Sequence, residues 1–418
     1  MSNPVLTLSD LKSAIAGNVA AIRRITKLQP AGGDGDKVFP PTYEGGEYAI
    51  EERHVRTADG AMQTVPTVLL DSVQSQANRL ELALLGAYRK GRLKFPLLSV
   101  DFTAKEFDPI IREIGRISSL EAPHRIADAI FRDSLLEGKP FRKSSPGLKF
   151  TAAKPGNATP LFELCPTALV FGVWDSTGPK GGLGAKFQRA LVSEIVGFGA
   201  LPGVRPASRI DPLQIEKEGV IVYCKDGGAG YTTDPKEARK KDGEPIKYGK
   251  EGKPSELVHG NITPSFRDKD GNLNPGGFTL EYAIQTTVLS LAALRRLVFP
   301  LGSRSSNQDA VDRAAQTTLA ALALAAICFH GEDGHDLRSR CVLDGKPGPF
   351  EMIGQGESRS FALNADQAAQ LLDDAVAEAI GAGLDWPTKE LTLTPCPELI
   401  NLILKSRNKA AAAAPGTV

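Results

Sequence analysis

The sequence predicts an α+β fold in which antiparallel strands come first and long helices follow. Two strand-like segments, 48–55 and 62–70, flank the dipeptide Asp59-Gly60, which is typical of a tight β-hairpin turn. Two longer apolar segments, 278–299 and 308–329, predict helices. No strand–helix–strand pattern surrounds the glycine-rich segment in the middle of the chain, so a dinucleotide-binding fingerprint is not indicated there.

Local patterns predict the elements at the start of the chain. Residues 4–16 carry apolar residues at helical spacing, and residues 18–28 form an apolar stretch interrupted by basic residues, which indicates a strand. A second helix is expected directly after the hairpin, because Asp71 or Ser72 can cap its first turn.

The predicted regular elements become shorter after this helix. Pro96 and Pro109 interrupt the chain and only short helical pieces follow, so residues 91–160 are predicted to be a helical insertion. The apolar run at the end of residues 161–174 is nearly continuous, which predicts a central strand. Residues 199–277 are rich in Gly, Pro and charged residues and predict a long excursion that carries a hairpin arm.

The last part of the chain is predicted to hold the two long helices, one further strand and a helical extension. Residues 337–343 alternate in polarity, which places Arg338 and Arg340 on one face of a strand. The predicted divisions of the chain are 1–90, 91–160, 161–198, 199–277, 278–345 and 346–418.

Composition narrows the possible partners without deciding among them. The chain has 418 residues, and 50 Lys and Arg against 49 Asp and Glu give a net charge of +1, so a nucleic-acid partner would need positive charge concentrated on one surface. Five dispersed cysteines without CxxC spacing indicate neither a zinc ribbon nor a disulfide framework and favour a reduced, cytoplasmic location. No signal peptide is visible, and the apolar window 319–329 is too short to span a bilayer, so we expect no membrane association.

The start of the helix after residue 71 is the first candidate site. A helix start has free backbone N–H groups and a partial positive charge, and therefore suits a phosphate. Hydroxyl, amide and guanidinium groups at the same end can bind phosphates without contacting the base edges that carry sequence information. A solvated helix face with a good cap explains the same residues and stays open as the alternative. The polar residues concerned are Ser72, Gln74, Ser75, Gln76, Asn78 and Arg79.

A glycine-rich loop at residues 175–189 is the second candidate site. It is predicted to lead from a strand into a helix over residues 185–196, and it carries Lys180, Lys186 and Arg189. Glycines let backbone N–H groups approach an anion closely, and the basic residues complement it. The loop lacks the ending of a Walker A motif and the spacing of a dinucleotide fingerprint. A flexible loop with solvated lysines is the alternative.

Basic residues elsewhere extend the candidate surface. They lie on the first strand, on the hairpin and on the predicted arm, and they are Arg23, Arg53, His54, Arg205 and Arg209. Aromatic residues make up only 6% of the chain, and no aromatic-rich strand of the kind that stacks bases is present. This composition favours binding to a sugar-phosphate backbone over stacking on bases.

Five segments together carry a family resemblance that spans residues from about 20 to about 345. They are LQPAGG (28–33), FPPTY (39–43), LDSVQSQANR (70–79), HRIADA (124–129) and FGVWDSTG (171–178). In this order they resemble the backbone subunit, of the Cas-seven type, of type I-G (formerly I-U) CRISPR Cascade complexes. The final 70 or so residues carry no matching motif.

The resemblance implies a fold and a role. The fold would be a modified RRM or ferredoxin-like palm with a helical finger insertion and a β-hairpin thumb. Copies would stack head to tail along the CRISPR RNA and position it for pairing with a target DNA strand in antiviral defence. The further partners implied are the Cascade large subunit and a guide-capping or processing subunit. The polar helix start, with Arg79 as its one cation, and the loop with Lys180 and Lys186 would hold guide phosphates.

Three other interpretations remain open. Asp34 and Asp36 lie in a glycine-rich loop, where a backbone subunit of the type III kind would place an aspartate for metal-dependent RNA cleavage. His124 with Asp128, and His330 with His335 and Asp336, are candidate general-base or metal pairs for which a structural role is the alternative. A scaffold without RNA contact is the third class. We expect no catalytic residue, no metal and no cofactor.

Overall fold

The computed structural model describes residues 3–57, 59–178, 184–216, 218–227, 230–268, 270–302, 307–354 and 358–413. Residues 410–413 are described by their backbone alone. The chain divides into two compact units, of which the first comprises Met1–Leu201 and Thr279–Ile400 and the second Pro202–Phe278 and Asn401–Val418. Helices and antiparallel sheets confirm the predicted α+β class.

The strands are, in chain order, β1 Val19–Pro30, β2 Ile50–Arg56, β3 Met62–Asp71, β4 Leu98–Asp101, β5 Arg116–Ser118, β6 Ser134–Leu136, β7 Lys139–Pro140, β8 Val173–Trp174, β9 Lys186–Phe187, β10 Leu191–Phe198, β11 Leu201–Val204, β12 Ala207–Arg209, β13 Tyr223–Cys224, β14 Tyr231–Thr232, β15 Lys240–Lys241, β16 Glu244–Pro245, β17 Ile262–Ser265, β18 Pro275–Thr279, β19 Tyr282–Ser290, β20 His335–Arg338, β21 Cys341–Asp344, β22 Pro347–Gly354, β23 Arg359–Phe361 and β24 Leu391–Pro395. The α-helices are α1 Leu8–Ala16, α2 Val73–Arg89, α3 Pro109–Arg112, α4 Ala129–Arg132, α5 Ser145–Thr151, α6 Thr159–Leu164, α7 Thr167–Phe171, α8 Leu291–Leu294, α9 Gln308–Asp333, α10 Ala365–Gly381 and α11 Pro397–Ala413.

The first unit is built on a sheet that has nine strands among the described residues. Its order is β2-β3-β10-β19-β1-β21-β20, with β22 paired to β1 and β23 paired to β22. The predicted hairpin is confirmed: β2 and β3 pair in antiparallel register from Ile50 opposite Val68 to Arg56 opposite Met62. The predicted first helix and first strand are confirmed as α1 and β1.

The centre of the sheet corrects one prediction. Residues 278–299 were expected to form a helix, but residues 282–290 form β19, which pairs with β1 on one side and β10 on the other. Burial alternates along β19, and Ile284, Thr286 and Val288 are β-branched residues suited to a pleated strand. Only the short helix α8 follows, and the Ser290 hydroxyl caps it.

The long helix α9 confirms the prediction for residues 308–329. It packs against α2 and α10, and its residues from Ala315 to His330 are buried. By length and composition α9 could cross a membrane, but most of its apolar window lies inside the first unit. It is therefore a core helix, which packs against the helices α1, α2, α7, α8 and α10.

Two apolar stretches around the glycine-rich loop also differ from expectation. Residues 161–174 were predicted as a strand, yet α6 and α7 occupy most of this segment and only residues 173–174 are extended. Residues 185–196 were predicted as a helix, yet they form β9 and the start of β10. The nearly continuous apolar run at 168–174 has no period of its own, so its local sequence does not separate a buried helix from a buried strand. Residues 191–198 form a strand because they pair with β19 and β3.

The predicted helical insertion at residues 91–160 is only partly helical. Short helices alternate there with β4, β5, β6 and β7, which join β24 in a second sheet of order β5-β4-β24-β6-β7. The predicted strand at 337–343 is instead two strands, β20 and β21, joined by a tight turn in which Arg340 has a φ of 60°. Arg338 and Arg340 therefore do not share one strand face.

The second unit consists mainly of short antiparallel strand pairs. β12 pairs with β17, β13 with β14, and β15 with β16. The buried carboxylate of Asp211 accepts hydrogen bonds from the backbone N–H groups of Gly260 and Leu213, which ties two of its loops together. Arg205 and Arg209 belong to this unit.

The buried end of α9 makes stability dependent on pH. Burial, followed by the proximity of His335 and Arg79, lowers the pKa of His330 to about 4. The folded protein therefore binds fewer protons than the unfolded chain between pH 6.5 and about 4, and stability present above pH 6.5 is lost as the pH falls through this window. The loss from His330 alone is roughly 3 kcal/mol. Urea denaturation of His330→Gln should show a smaller difference between pH 7 and pH 4.5 than the parent, whereas the exposed His54→Gln should keep the parental difference. Equal differences in all three proteins would contradict this.

Candidate nucleic-acid interface

The start of α2 is capped as the sequence predicts. The Ser72 hydroxyl accepts a hydrogen bond from the backbone N–H of Ser75 over 3.2 Å. Directly before the cap, β3 ends at Asp71, whose side chain is fully buried. The strand-to-helix junction therefore holds a buried carboxylate next to the free N–H groups of the helix.

Three of the six polar residues predicted at the start of α2 donate hydrogen bonds to the buried Asp71 carboxylate. The carboxylate accepts hydrogen bonds from Ser75 Oγ at 2.8 Å, Gln76 Nε2 at 2.6 Å and Arg79 Nε at 3.0 Å. The Gln76 side chain is fully buried, and its Oε1 accepts further hydrogen bonds from Ser193 and Gln285. The prediction that Gln76 contacts a phosphate is therefore wrong, because no atom of its side chain reaches the surface.

The Arg79 side chain also makes its hydrogen bonds within the protein. Besides Asp71, it binds the backbone carbonyl oxygens of Asp336 and Leu337 in β20, over 3.2 and 2.6 Å. Arg338 approaches the same junction and donates to Leu70 O and Asp71 Oδ1. The prediction of Arg79 as a phosphate contact is corrected: its Nε, Nη1 and Nη2 all donate within the protein. It shares the Asp71 carboxylate with Arg338.

Two residues of the predicted set face outward on α2. Gln74 and Asn78 are exposed, while Ser72 and Ser75 are partly covered. Gln74 lines a cleft of about 770 Å³ in the first unit, which Lys186 and Arg189 also line. The fold therefore brings together three predicted residues from the two predicted sites. The cleft is completed by Pro123, His124, Arg125, Pro155, Leu169, Phe171, Gly172, Val173, Trp174, Ser176, Phe187, Gln188, Ala190, Ala293, Arg296 and Leu297.

The charged residues that line this cleft in the described part of the chain are all basic. Among its described lining residues there is no Asp or Glu, while Lys186, Arg189 and Arg296 all contribute positive charge. Arg125 is a lining residue too, but Glu81 balances it in a buried ion pair with N–O distances of 2.6 and 2.7 Å. Burial and the neighbouring Arg125 lower the pKa of Arg189. An anion in the cleft would offset this unfavourable concentration of positive charge.

Arg189 and Arg296 are held by neutral partners. Arg189 Nε donates to the Phe171 carbonyl oxygen over 3.1 Å, and Arg296 Nη1 donates to Gln188 Oε1 over 3.3 Å. Neither contact neutralises a charge, so both guanidinium groups remain suited to a phosphate.

The loop that carries Lys186 is not the expected strand-to-helix cradle. β8 and β9 pair at its base, with Trp174 opposite Lys186, and the chain continues into β10 rather than a helix. The buried carboxylate of Asp175 holds the base by accepting two hydrogen bonds from Arg142, at 2.5 and 2.8 Å. An ion pair and a strand pair therefore replace the predicted helix start, and Lys180 lies outside the described residues.

Among the predicted basic residues of the first unit, Arg23, Arg53 and His54 do not line the cleft. On the large sheet, Arg23 forms an ion pair with Glu351 at 2.7 Å. Arg53 contacts Glu194 at 3.0 Å as well as Glu51, and His54 Nδ1 lies 3.1 Å from Thr64 Oγ1. The charges of Arg23 and Arg53 are thus matched by carboxylates. Arg205 and Arg209 lie in the second unit.

Sequence reasoning missed Trp174, Gln188 and Arg296. Trp174 was noted only as part of the FGVWDSTG motif. Its exposure and its position opposite Lys186 are seen only in the structure. Arg296 fell in the last turn of the helix predicted for residues 278–299, which hid its place after β19 and α8. Trp174 meets Lys186 through the β8–β9 pair, which the local sequence does not encode.

The enzymatic candidates occupy ordinary structural positions. Asp128 caps α4 by accepting from Ile130 N, and it accepts from the backbone N–H of His124 rather than from its ring. Asp34 and Asp36 are exposed in the loop after β1. In the described part of the chain, no three His, Cys, Asp or Glu side chains come close enough together to hold a metal ion.

Residues 22–202 match the family model described as CRISPR-associated protein GSU0053. The match supports a CRISPR-associated protein. The matched segment contains most of β1, the β2–β3 hairpin, α2 and the β8–β9 pair at the edge of the cleft. A comparison with curated proteins finds no match.

The junction at Asp71 gives a stability prediction. Asp71→Ala removes the acceptor of four side-chain donors, from Ser75, Gln76, Arg79 and Arg338. It leaves the buried Gln76 amide and two partly buried guanidinium groups without this acceptor, which should lower the free energy of unfolding by about 3–5 kcal/mol. Asp366→Ala is the control, because it removes an exposed ion pair with Arg92, and such pairs contribute at most about 1 kcal/mol. Urea denaturation measures both variants, and losses of equal size would contradict the role of Asp71.

Proposed function

We propose that this protein is a CRISPR RNA-binding subunit that forms the backbone of a type I-G Cascade complex. Copies would polymerise along the guide and position it for pairing with the target DNA strand, beside the Cascade large subunit and a guide-capping or processing subunit. The observation that carries the proposal is a cationic cleft without a lining carboxylate among the described residues, at which segments matched to a CRISPR-associated family meet.

The chemistry of the cleft suits a sugar-phosphate backbone. Lys186, Arg189 and Arg296 can bind phosphate oxygens, and the amides of Gln74 and Gln188 can bind phosphate or ribose oxygens. None of these contacts needs a particular base. A backbone subunit has to hold every guide alike, because base pairing with the target reads the sequence.

The proposed contact set differs from the one expected from sequence. Gln74, Lys186 and Arg189 stay in it, Arg296 and Gln188 are added, and Gln76 and Arg79 leave it. The other members of the expected set remain predictions; they are Lys180, Ser72, Ser75, Asn78, Arg23, Arg53, His54, Arg205 and Arg209. The RRM-like palm, the finger and the thumb remain predictions of the resemblance, and so does a cytoplasmic location.

A binding role is proposed in preference to a nuclease. The type III comparison requires a loop aspartate that acts with a metal ion, but no potential ligand cluster includes Asp34 or Asp36 within the described residues. The cleft, by contrast, has no carboxylate among its described lining residues that could bind a divalent cation. Its positive charge repels such a cation and attracts the phosphates of RNA.

The cleft predicts how RNA affinity depends on salt. Lys186→Ala and Arg189→Ala should weaken binding to poly-U and to a mixed-sequence RNA by the same factor. Each should reduce the slope of log K against log salt by about 0.7, the value for one phosphate on a single strand. Filter binding across a salt series measures this slope.

Two control variants make this test specific. Lys12→Ala removes an exposed lysine that pairs with Glu378 away from the cleft, and should leave the slope unchanged. Arg79→Ala should lower the melting temperature without changing the slope, because Arg79 serves Asp71 and β20. A parental slope in both Lys186→Ala and Arg189→Ala would remove the cleft from the RNA-binding surface.

A further inference from the structure

Trp174 is exposed at the edge of the cleft. Its relative exposure is 55%, whereas Trp386, the other tryptophan of the chain, is 6% exposed and donates through Nε1 to the Lys94 carbonyl oxygen. Lys186 Nζ lies 5.1 Å from the Trp174 ring centroid. Since more than half of the residue is accessible although Lys186 lies over one face, the indole offers a flat apolar surface to a ligand.

The backbone on both sides of Trp174 is fixed. On one side Gly172 has a φ of 83°, and a Cβ atom there would lie 3.0 Å from Arg189 N, so the chain packs closely against the segment that carries Arg189. On the other side the Asp175–Arg142 ion pair anchors the next residue. Pairing of β8 with β9 adds a third restraint. Trp174 is therefore held in place before any ligand arrives.

An aromatic face beside several cations matches the chemistry of a nucleotide. A base has a π-face that stacks on indole, and its phosphate needs cationic or amide donors. Lys186 and Arg189 line the same cleft as Trp174 and supply such donors. An acidic peptide would use the cations but not the indole, and an apolar ligand would use the indole but leave the cations unpaired.

We propose that Trp174 is a stacking platform for one nucleobase of the bound single-stranded RNA, whose adjoining phosphate contacts Lys186 and Arg189. The inference rests on the proposed function and deepens it. It also revises the expectation that this chain holds its guide without stacking. Because every base has a π-face, such a platform adds affinity without reading sequence.

RNA titration followed by tryptophan fluorescence tests the platform. Poly-U and poly-A should both quench the parent protein, whereas Trp174→Phe, which retains only Trp386, should show little change. Trp174→Ala should weaken binding roughly 5- to 100-fold, the range expected for one stacked base. Its salt slope should equal that of the parent, because the indole neutralises no phosphate. Trp174→Phe should retain most of the affinity, since a phenyl ring also stacks.

An abasic ribose-phosphate oligonucleotide separates stacking from phosphate binding. The parent and Trp174→Ala should bind it with equal affinity, because it lacks the base that the indole would contact. Thermal melting of each variant reports whether the fold is retained. Normal RNA binding by the parent without quenching would overturn the stacking platform and leave the proposed function intact. Failure of the parent to bind any RNA would overturn both. Quenching by a mononucleotide but not by RNA would make the site one for a free nucleotide and would also overturn the inference.

Discussion

The buried carboxylate of Asp71 holds the first unit together where three elements meet. It ends β3, begins α2 through its contacts with Ser75 and Gln76, and through Arg79 and Arg338 connects both to β20. A buried charge with a single partner would be costly, but four side-chain donors from two parts of the chain satisfy this one. The position of α2 against the sheet, and with it the placement of Gln74 at the cleft, depends on this junction.

Charge in this protein serves two separate purposes. One set of ion pairs is structural: Asp71 with Arg79, Glu81 with Arg125, and Asp175 with Arg142 are largely buried and hold elements together. The other set is the cluster of cations around the cleft, whose described partners are neutral. The near-neutral overall charge hides this division, because the carboxylates of Asp71, Glu81 and Asp175 count toward the total but are buried in structural ion pairs.

Short-range signals predicted the parts of the fold that depend on local sequence. The Asp59-Gly60 hairpin, the Ser72 cap and α9 each carry a turn, cap or long periodic pattern, and each is confirmed. The errors have two sources. Residues 282–290 alternate in burial as a strand does, but they lie in a longer apolar segment that was predicted as one helix. Residues 167–171 are buried throughout, so their local sequence does not separate a helix from a strand. The candidate site was predicted in part, since Lys186 and Arg189 came from the sequence. Their meeting with Gln74 and Arg296, and the inward turn of Arg79, depend on tertiary contacts.

The close approach at Gly172 limits how related sequences can diverge. Its positive φ disfavours every other residue, and a methyl group in this position would press on the backbone of Arg189. Substitution of Gly172 by alanine would therefore displace the backbone of Arg189 at the cleft, while every cationic residue of the cleft would remain in the sequence. Homologues that keep the lysine and arginines but lose this glycine would retain the composition of the site without its shape.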